Sequence, residues 1–366
     1  MTSTQQPLKP TDVITLDQGG SRKQFISARR EGSDELAIFD AFKPGSSTVV
    51  AQMAFGGLGF HDAACARMGG VEWPMFWLQG DVCPGVHVAG VQSFAMEGRP
   101  VRRVMLSNRV VGSFWSDEDA DYCLLAGLLP ADPTADRSAQ TLSSFEQMEA
   151  GLKEVGMDFS HVVRTWFYLD ELLDWYDEFN VARTAFFEAR GVFDRLIPAS
   201  TGIGASNPAG AAVASGALAI RPRHDRVHIQ EVESPLQNPA TEYRSSFSRA
   251  VEMAFPDRRV LTISGTASIA PDGKTVHQDD VVKQIQLTLD VIEGILKSRG
   301  MDWQNTTRAV AYFHDIAELP TFDAICRERG IPPLPVAPAH ATVCRADLLF
   351  EMELDAVLAV PASGKA

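Results

Sequence analysis

The sequence predicts an α+β protein in which helices cover one face of a mostly antiparallel mixed sheet, and in which that layered unit is used more than once. An internal repeat is one reason. Residues 152–170 (LKEVGMDFSHVVRTWFYLD) match residues 296–314 (LKSRGMDWQNTTRAVAYFH) at a fixed offset of 144 positions. Arg164 falls on Arg308, and Tyr168 on Tyr312. Alternation is another. Phe350, Met352, Leu354 and Ala356 point one way while Glu351, Glu353 and Asp355 point the other, as in a strand with one apolar and one polar face. A third is the stripe Val282, Ile285, Leu289, Ile292 and Leu296, which steps by three and four as an amphipathic helix does.

Each copy reads in the same order. A strand comes first, over 121–129 in one copy and 259–269 in the other. A long helix follows. It carries Leu142, Phe145, Leu152 and Val155 in the first copy and the stripe above in the second. Gly156 and Gly300 end these helices as C-cap glycines. Next come a strand (161–169 and 307–313), a shorter helix (173–189 and 319–329) and a last strand (211–220 and 347–357). The match continues with a one-residue slip through Phe179 and Phe322. It then sets Pro198-Ala199-Ser200-Thr201 against Pro338-Ala339-His340-Ala341-Thr342. The aromatic run of the 173–189 helix, Trp175, Tyr176, Phe179, Phe186 and Phe187, has the spacing of core packing.

Near the N-terminus, a short helix over 61–68 precedes a glycine–proline–strand order, Gly70 to Pro74 and then Val86 to Val91. It has the form of the back half of a third copy. The expected organisation is an unstructured start over 1–15, a partial unit over 16–109, a first full unit over 110–230 and a second over 231–366. Pro130 to Pro133 reads as a loop inside the first full unit, and Ser234 to Pro239 as the link to the second.

Composition excludes several functions. The formal net charge is −14, and an acidic chain without a basic block repels phosphate backbones, so no nucleic-acid partner is expected. The basic stretch from Arg99 to Arg109 is short and interleaved with strand formers, which makes it one face of a strand. No apolar run approaches the roughly 18 residues of a membrane span. The polar start MTSTQQPLKPTD lacks a signal core, so a cytoplasmic protein is expected. Cys65, Cys83, Cys123, Cys326 and Cys344 show no C-x-x-C spacing, which predicts reduced thiols and no metal site. No phosphate-binding glycine loop is present, and no cofactor is expected.

These repeats resemble the Rid (YjgF/RidA-like) superfamily over roughly residues 110–360. The resemblance rests on Ser264-Gly265-Thr266-Ala267, the helix from Asp280, Gly300-Met301-Asp302, and the ending Cys344-Arg345-Ala346-Asp347-Leu348-Leu349-Phe350-Glu351-Met352-Glu353. Ser234 to Gln237, Ser246 to Ala250, and Cys344-Arg345 with Phe350-Glu351 are similar to the large tandem members, among them the chorismatases. The resemblance implies tandem RidA/chorismate-mutase-like domains, as a single-chain pseudo-trimer or a homotrimer.

Small Rid enzymes hydrolyse enamines and imines. They hold the substrate carboxylate with an arginine and position water with a strand glutamate. Glu351 falls at that glutamate position and His340 at that of the arginine, although imidazole offers no bidentate fork for a carboxylate. In the first full copy the corresponding residues are Ser200 and the strand pair Ala214 and Ser215, so that copy supplies a wall. Chorismatases use the strand glutamate to protonate an enol ether, with arginines gripping two carboxylates. Candidate grips are Arg164, Arg183, Arg249 and Arg345. The loop after Ile269 is similar to the generic Rid turn, unlike the chorismatase loop rich in glycine and histidine.

Three functions are therefore compatible with the sequence. One is a Rid-type hydrolase or deaminase that adds water to an imine, enamine or enol ether. Another is a chorismatase-like hydrolase or lyase. The last is a regulatory protein that binds a small carboxylate without converting it. Ribonuclease activity, attached to some relatives, is disfavoured by the charge. Glu351 is the candidate proton shuttle and Glu353 a structural partner on the same face. Arg345 either anchors a carboxylate or pairs with Asp347 or Glu351. Cys344 is a small buried wall or a nucleophile. Ser264 and Thr266 either donate to the substrate or pack strand ends. Tyr243 and Phe247 stand where Rid proteins place an aromatic over the substrate, and core packing accounts for Phe247 equally. Arg164 and Arg308 recur, as residues that serve the fold do.

Overall fold

The computed structural model describes residues 11–18, 20–42, 46–243 and 245–360. Its strands fall into three units. Unit one holds β1 (Thr11–Gln18), β2 (Ser21–Arg29), β3 (Thr48–Gly56), α1 (His61–Arg67), β4 (Met75–Gly80) and β5 (Val88–Glu97). Unit two holds β6 (Arg102–Leu106), β7 (Arg109–Ser116), β8 (Ala120–Leu128), α2 (Arg137–Lys153), β9 (Val162–Leu169), α3 (Leu172–Ala189), β10 (Ala199–Ser206) and β11 (Val213–Pro222). Unit three holds β12 (His228–Val232), β13 (Ala250–Ala254), β14 (Arg258–Ala267), α4 (Val281–Ser298), β15 (Thr306–Phe313), α5 (Leu319–Glu328), β16 (Val336–His340) and β17 (Phe350–Ala359).

Unit three is ordered β12-β13-β14-β17-β15-β16, and unit two β6-β7-β8-β11-β9-β10. Unit one repeats the last five places as β1-β2-β5-β3-β4. In each unit the final pair is parallel and the others antiparallel. The N-terminal region therefore carries the front strands as well as the back half. What it lacks is the long helix, whose place is taken by the short turn Ala37–Phe42; Phe39 and Phe42 bury beneath it. The expected unstructured start already contains strand β1 from Thr11, while residues 1–10 lie outside the described residues. Ser234 to Pro239 lies within unit three, between β12 and β13, so it is not the link between units.

Local chemistry accounts for the elements. The Asp136 and Asp280 side chains cap α2 and α4 by accepting from the amides of Ala139 and Lys283. Gly156 and Gly300 end the segments after those helices at positive φ, 70° and 67°. Ile285, Leu289, Ile292 and Leu296 bury against the sheet with Phe350, Met352, Leu354 and Ala356. Val282 and Leu142 are exposed, so each stripe begins one turn later than its spacing implies.

The three units meet on one axis. Phe55, Tyr168 and Tyr312 occupy equivalent positions on β3, β9 and β15 and converge there. Phe55 stands edge-on to both tyrosines, and the tyrosine hydroxyls are 3.1 Å apart. A two-residue antiparallel pairing joins β4 to β10, and Gly204 bridges to Thr342 of unit three. Such close approaches need small residues: a Cβ on Gly80 would lie 2.0 Å from the His340 carbonyl oxygen. Among the described residues, no helix is long and apolar enough to cross a membrane.

Candidate active site

Strand β17 brings two glutamates to the seam between units two and three. Glu353 is fully buried. Its carboxylate accepts from Arg164 at 2.8 Å, from Trp166 Nε1 at 3.1 Å and from Arg308. The two guanidinium groups outweigh the cost of burial and hold this carboxyl down at about 2, so it is ionised. Glu351 lies two residues earlier, 5% exposed, on the floor of a cleft of about 830 Å³. Burial, and then the charge of Glu353, push its carboxyl up to about 8, against the weaker pull of Arg164 and Arg249. Among the described residues its carboxyl makes no hydrogen bond. Gly265 makes room for it, because a Cβ there would meet Glu351 Oε1 at 1.9 Å.

Unit two forms the opposite wall. Tyr176, Asn180 and Arg183 of α3 face the cleft, with Ser200 and Gly202 of β10. Arg183 is 1% exposed. It donates to Asn180 Oδ1 at 2.6 Å and lies over Phe247, while its Nε has no partner. Arg249 and Arg345 complete a trio of guanidinium groups around the cleft. Arg249 donates to the Asn238 carbonyl at 2.9 Å. Arg345 donates to the Gly273 carbonyl at 2.7 Å; it pairs with neither Asp347 nor Glu351. Cys344 also lines the cleft, its thiol pushed up to about 12 by burial and by Glu351. Among the described residues, no three His, Cys, Asp or Glu side chains converge as metal ligands.

Glu351, Arg183, Arg249, Arg345, Cys344 and Phe247 thus share one cleft. Other expected residues do not reach it. Arg164 is wholly buried, clamped on Glu353, Thr201 and the Ile263 carbonyl, because an ionised glutamate inside the seam needs it. Ser264 staples the seam instead, donating to the Ser248 carbonyl and accepting from the Ser200 amide. Thr266 Oγ1 is spent on the carbonyl of Ser264 across the strand's bulge. His340 donates to the His314 carbonyl, and burial lowers its pKa, leaving a neutral ring outside the cleft. The side chain of Tyr243 lies outside the described residues.

The His340 alignment was four residues out of register. Thr165 pairs with Ser200 and its counterpart Ala309 with Val336, so Val336 matches Ser200, and His340 matches Gly204. Moreover, Ser200 of the neighbouring unit lines the same cleft as Glu351. Helical spacing alone places Tyr176 in the core. The other four aromatics of its helix are buried in the unit-two core, but Tyr176 reaches the cleft above Gly202.

Register explains why, among the described residues, this seam alone combines open space with an acid. The position of Glu351 is held by Ala214 in unit two and Gly90 in unit one. The position of Gly202 is held by Trp77 in unit one and Pro338 in unit three. Pro338 closes the third seam, its carbonyl oxygen 2.5 Å from where a Gly90 Cβ would sit.

The sequence was compared with known proteins. Residues 105–217 match the family model described as chorismatase FkbO/Hyg5-like, N-terminal, and residues 237–360 match endoribonuclease L-PSP. A 3-hydroxybenzoate synthase of Streptomyces hygroscopicus is 32% identical over 64% of this chain and 74% of its own length. The chain belongs to the chorismatase and 3-hydroxybenzoate synthase family. A chorismatase of Streptomyces rapamycinicus is 29% identical over 54% of this chain and 64% of its own length, slightly under two thirds. A chorismatase crystal structure superposes with a TM-score of 0.67 at 20% identity, over 94% of this chain and 100% of that one. That likeness establishes the chorismatase fold, with its RidA-like repeats.

Proposed function

We propose that this family member is a hydrolase or lyase of the chorismatase type, which cleaves the enol ether of chorismate or a close dicarboxylate analogue by proton transfer from Glu351. One observation carries the reading: a carboxyl at about 8 keeps its proton at neutral pH, on the floor of a cleft edged by three arginines. The proton passes to the terminal methylene carbon of the enolpyruvyl group and leaves an oxocarbenium ion at the ether carbon. Water adds there, returning a proton to the Glu351 carboxylate, and the hemiketal breaks into pyruvate and a ring alcohol. If the ring instead loses water and aromatises, a hydroxybenzoate forms with no net consumption of water. Pyruvate leaves in either case.

Arg183, Arg249 and Arg345 supply positive charge for two carboxylates, and the Arg183 Nε has a donor to spare. Addition of water to an imine would use the same acid, but the cleft's size and its three guanidinium groups suit a ring-bearing dicarboxylate better. Since one chain supplies all three units, the active particle is a 39.9 kDa monomer, which light scattering checks.

The test offers chorismate and freshly generated 2-aminoacrylate to the wild type and to Glu351→Gln. Pyruvate from chorismate, lost in the variant, supports the proposal. Pyruvate release that survives in Glu351→Gln overturns the acid. Ammonia from 2-aminoacrylate without pyruvate from chorismate returns the protein to the imine class. Thermal stabilisation by chorismate without turnover makes it a carboxylate-binding protein.

A further inference from the structure

We propose that the cleft between units one and two is a second binding site, which holds a small hydroxylated cyclic carboxylate without converting it. The inference rests on the architecture and is independent of the reaction proposed above. The seam is built as the catalytic one is. Strand β4 and helix α1 stand where β10 and α3 stand, and β8 and β11 stand where β14 and β17 stand. Gly127 takes the place of Gly265, each at the register break of its strand pair. A cavity of about 320 Å³ remains, within the range of small-molecule sites. Ala214 occupies the acid's position, so the cleft has no strand proton donor.

The lining selects a ligand class. Phe76, Trp77 and Leu129 make an apolar, partly aromatic surface, and the Trp77 indole N–H is already committed to the Gly57 carbonyl. That surface suits a flat ring and gives nothing to an inorganic anion. Arg109 also lines the cleft and, among the described residues, its guanidinium makes no hydrogen bond or ion pair. It is a cation free for a carboxylate. His61 stands edge-on to Trp77, with Nδ1 2.8 Å from Asp62 Oδ1. When Nδ1–H donates to Asp62, Nε2 carries a lone pair that accepts from a ligand hydroxyl; its present neighbour is Cys65 Sγ at 3.7 Å. Asn207 is tied to its own loop, donating to the Ala211 carbonyl and accepting from the amides of Ala209 and Ala211, and so fixes the rim.

Calorimetric titration with 3-hydroxybenzoate and with benzoate tests this. The wild type should bind 3-hydroxybenzoate at two sites. Arg109→Ala, or Ala209→Trp filling the rim, should weaken one of them at least about tenfold with chorismate turnover unchanged, while Arg249→Ala weakens the other. The 3-hydroxy compound should bind more tightly than benzoate at the site Arg109 controls, and His61→Ala should abolish that preference. No binding in the wild type, or binding untouched by both Arg109→Ala and Ala209→Trp, overturns the inference; a single site that both variants weaken upholds it and counts only against the reading of the Glu351 cleft.

Discussion

Glu351 and Glu353 stand two residues apart on strand β17, yet one carboxyl is pushed up to about 8 and the other held down at about 2. The cause lies in what each faces. Glu353 is enclosed by Arg164, Arg308 and Trp166, whereas Glu351 opens onto a cleft and feels the charge of Glu353 behind it. Burial, and then the charge of Glu353, keep Glu351 protonated at neutral pH, and kcat/KM for the proposed acid-catalysed step should follow. The rate should be level below about pH 8 on the Glu351 ionisation and fall about tenfold per unit above it. Glu351→Gln should lower the rate about 10²- to 10⁴-fold and remove that limb. A wild-type profile rising above pH 8 would assign the essential group to a base.

Stability carries the same asymmetry with a definite sign. Unfolded, Glu351 loses its proton near 4.5; folded, it keeps the proton to about 8. Between these values the folded state holds more protons, so raising the pH favours unfolding. The melting temperature of Glu351→Gln should therefore overtake that of the wild type as pH rises from 5 to 9. A constant difference across that range would refute the shift.

Glu353 behaves oppositely. Its contribution is complete above about 4.5 and is lost as pH falls toward about 2. Glu353→Gln leaves Arg164 buried without its counter-charge and Arg308 with Asp355 alone, which costs about 3–5 kcal/mol in urea unfolding. It also removes the charge that raises Glu351, so the falling limb of the rate profile should move to lower pH. Destabilisation alone would not move that limb.

Gly265→Ala is a geometric test. Gly265 is not among the glycines at positive φ, so alanine is acceptable to the backbone and the burden falls on the carboxyl that its Cβ would meet at 1.9 Å. Turnover should drop about 10²-fold, the scale of an ångström-level misplacement, with little change in melting temperature. Unchanged turnover would show that Glu351 reacts from another position.

Cys344 is a neutral thiol, and iodoacetamide at pH 8 should label it far more slowly in the folded protein than after denaturation, as mass spectrometry of the peptide shows. Rapid labelling of the native cleft would instead identify an activated nucleophile.

Much of this was legible in the chain. The repeat of units two and three survives in sequence because both keep the long helix, its glycine stop and the strand after it. Unit one lost the helix and with it the signal, although its strands kept their order. The alternation around Glu351 exposed the acid. Its opposite wall was largely hidden because Tyr176 and Gly202 come from the preceding unit, where local patterns do not reach; Arg183 of that wall was legible only as one of four candidate arginines. His340 misled because a Pro-Ala pair recurs four residues out of register. Arg164 misled because charge alone does not tell a seam clamp from a substrate grip.

The position shared by Gly202, Trp77 and Pro338 carries an evolutionary consequence. In an assembly of identical subunits, a tryptophan or proline there would appear at every boundary at once. Joining the units in one chain lets each boundary diverge separately. On the proposed reaction, two of them are thereby released from turnover, and one of those retains a cavity in which selection can establish a different task.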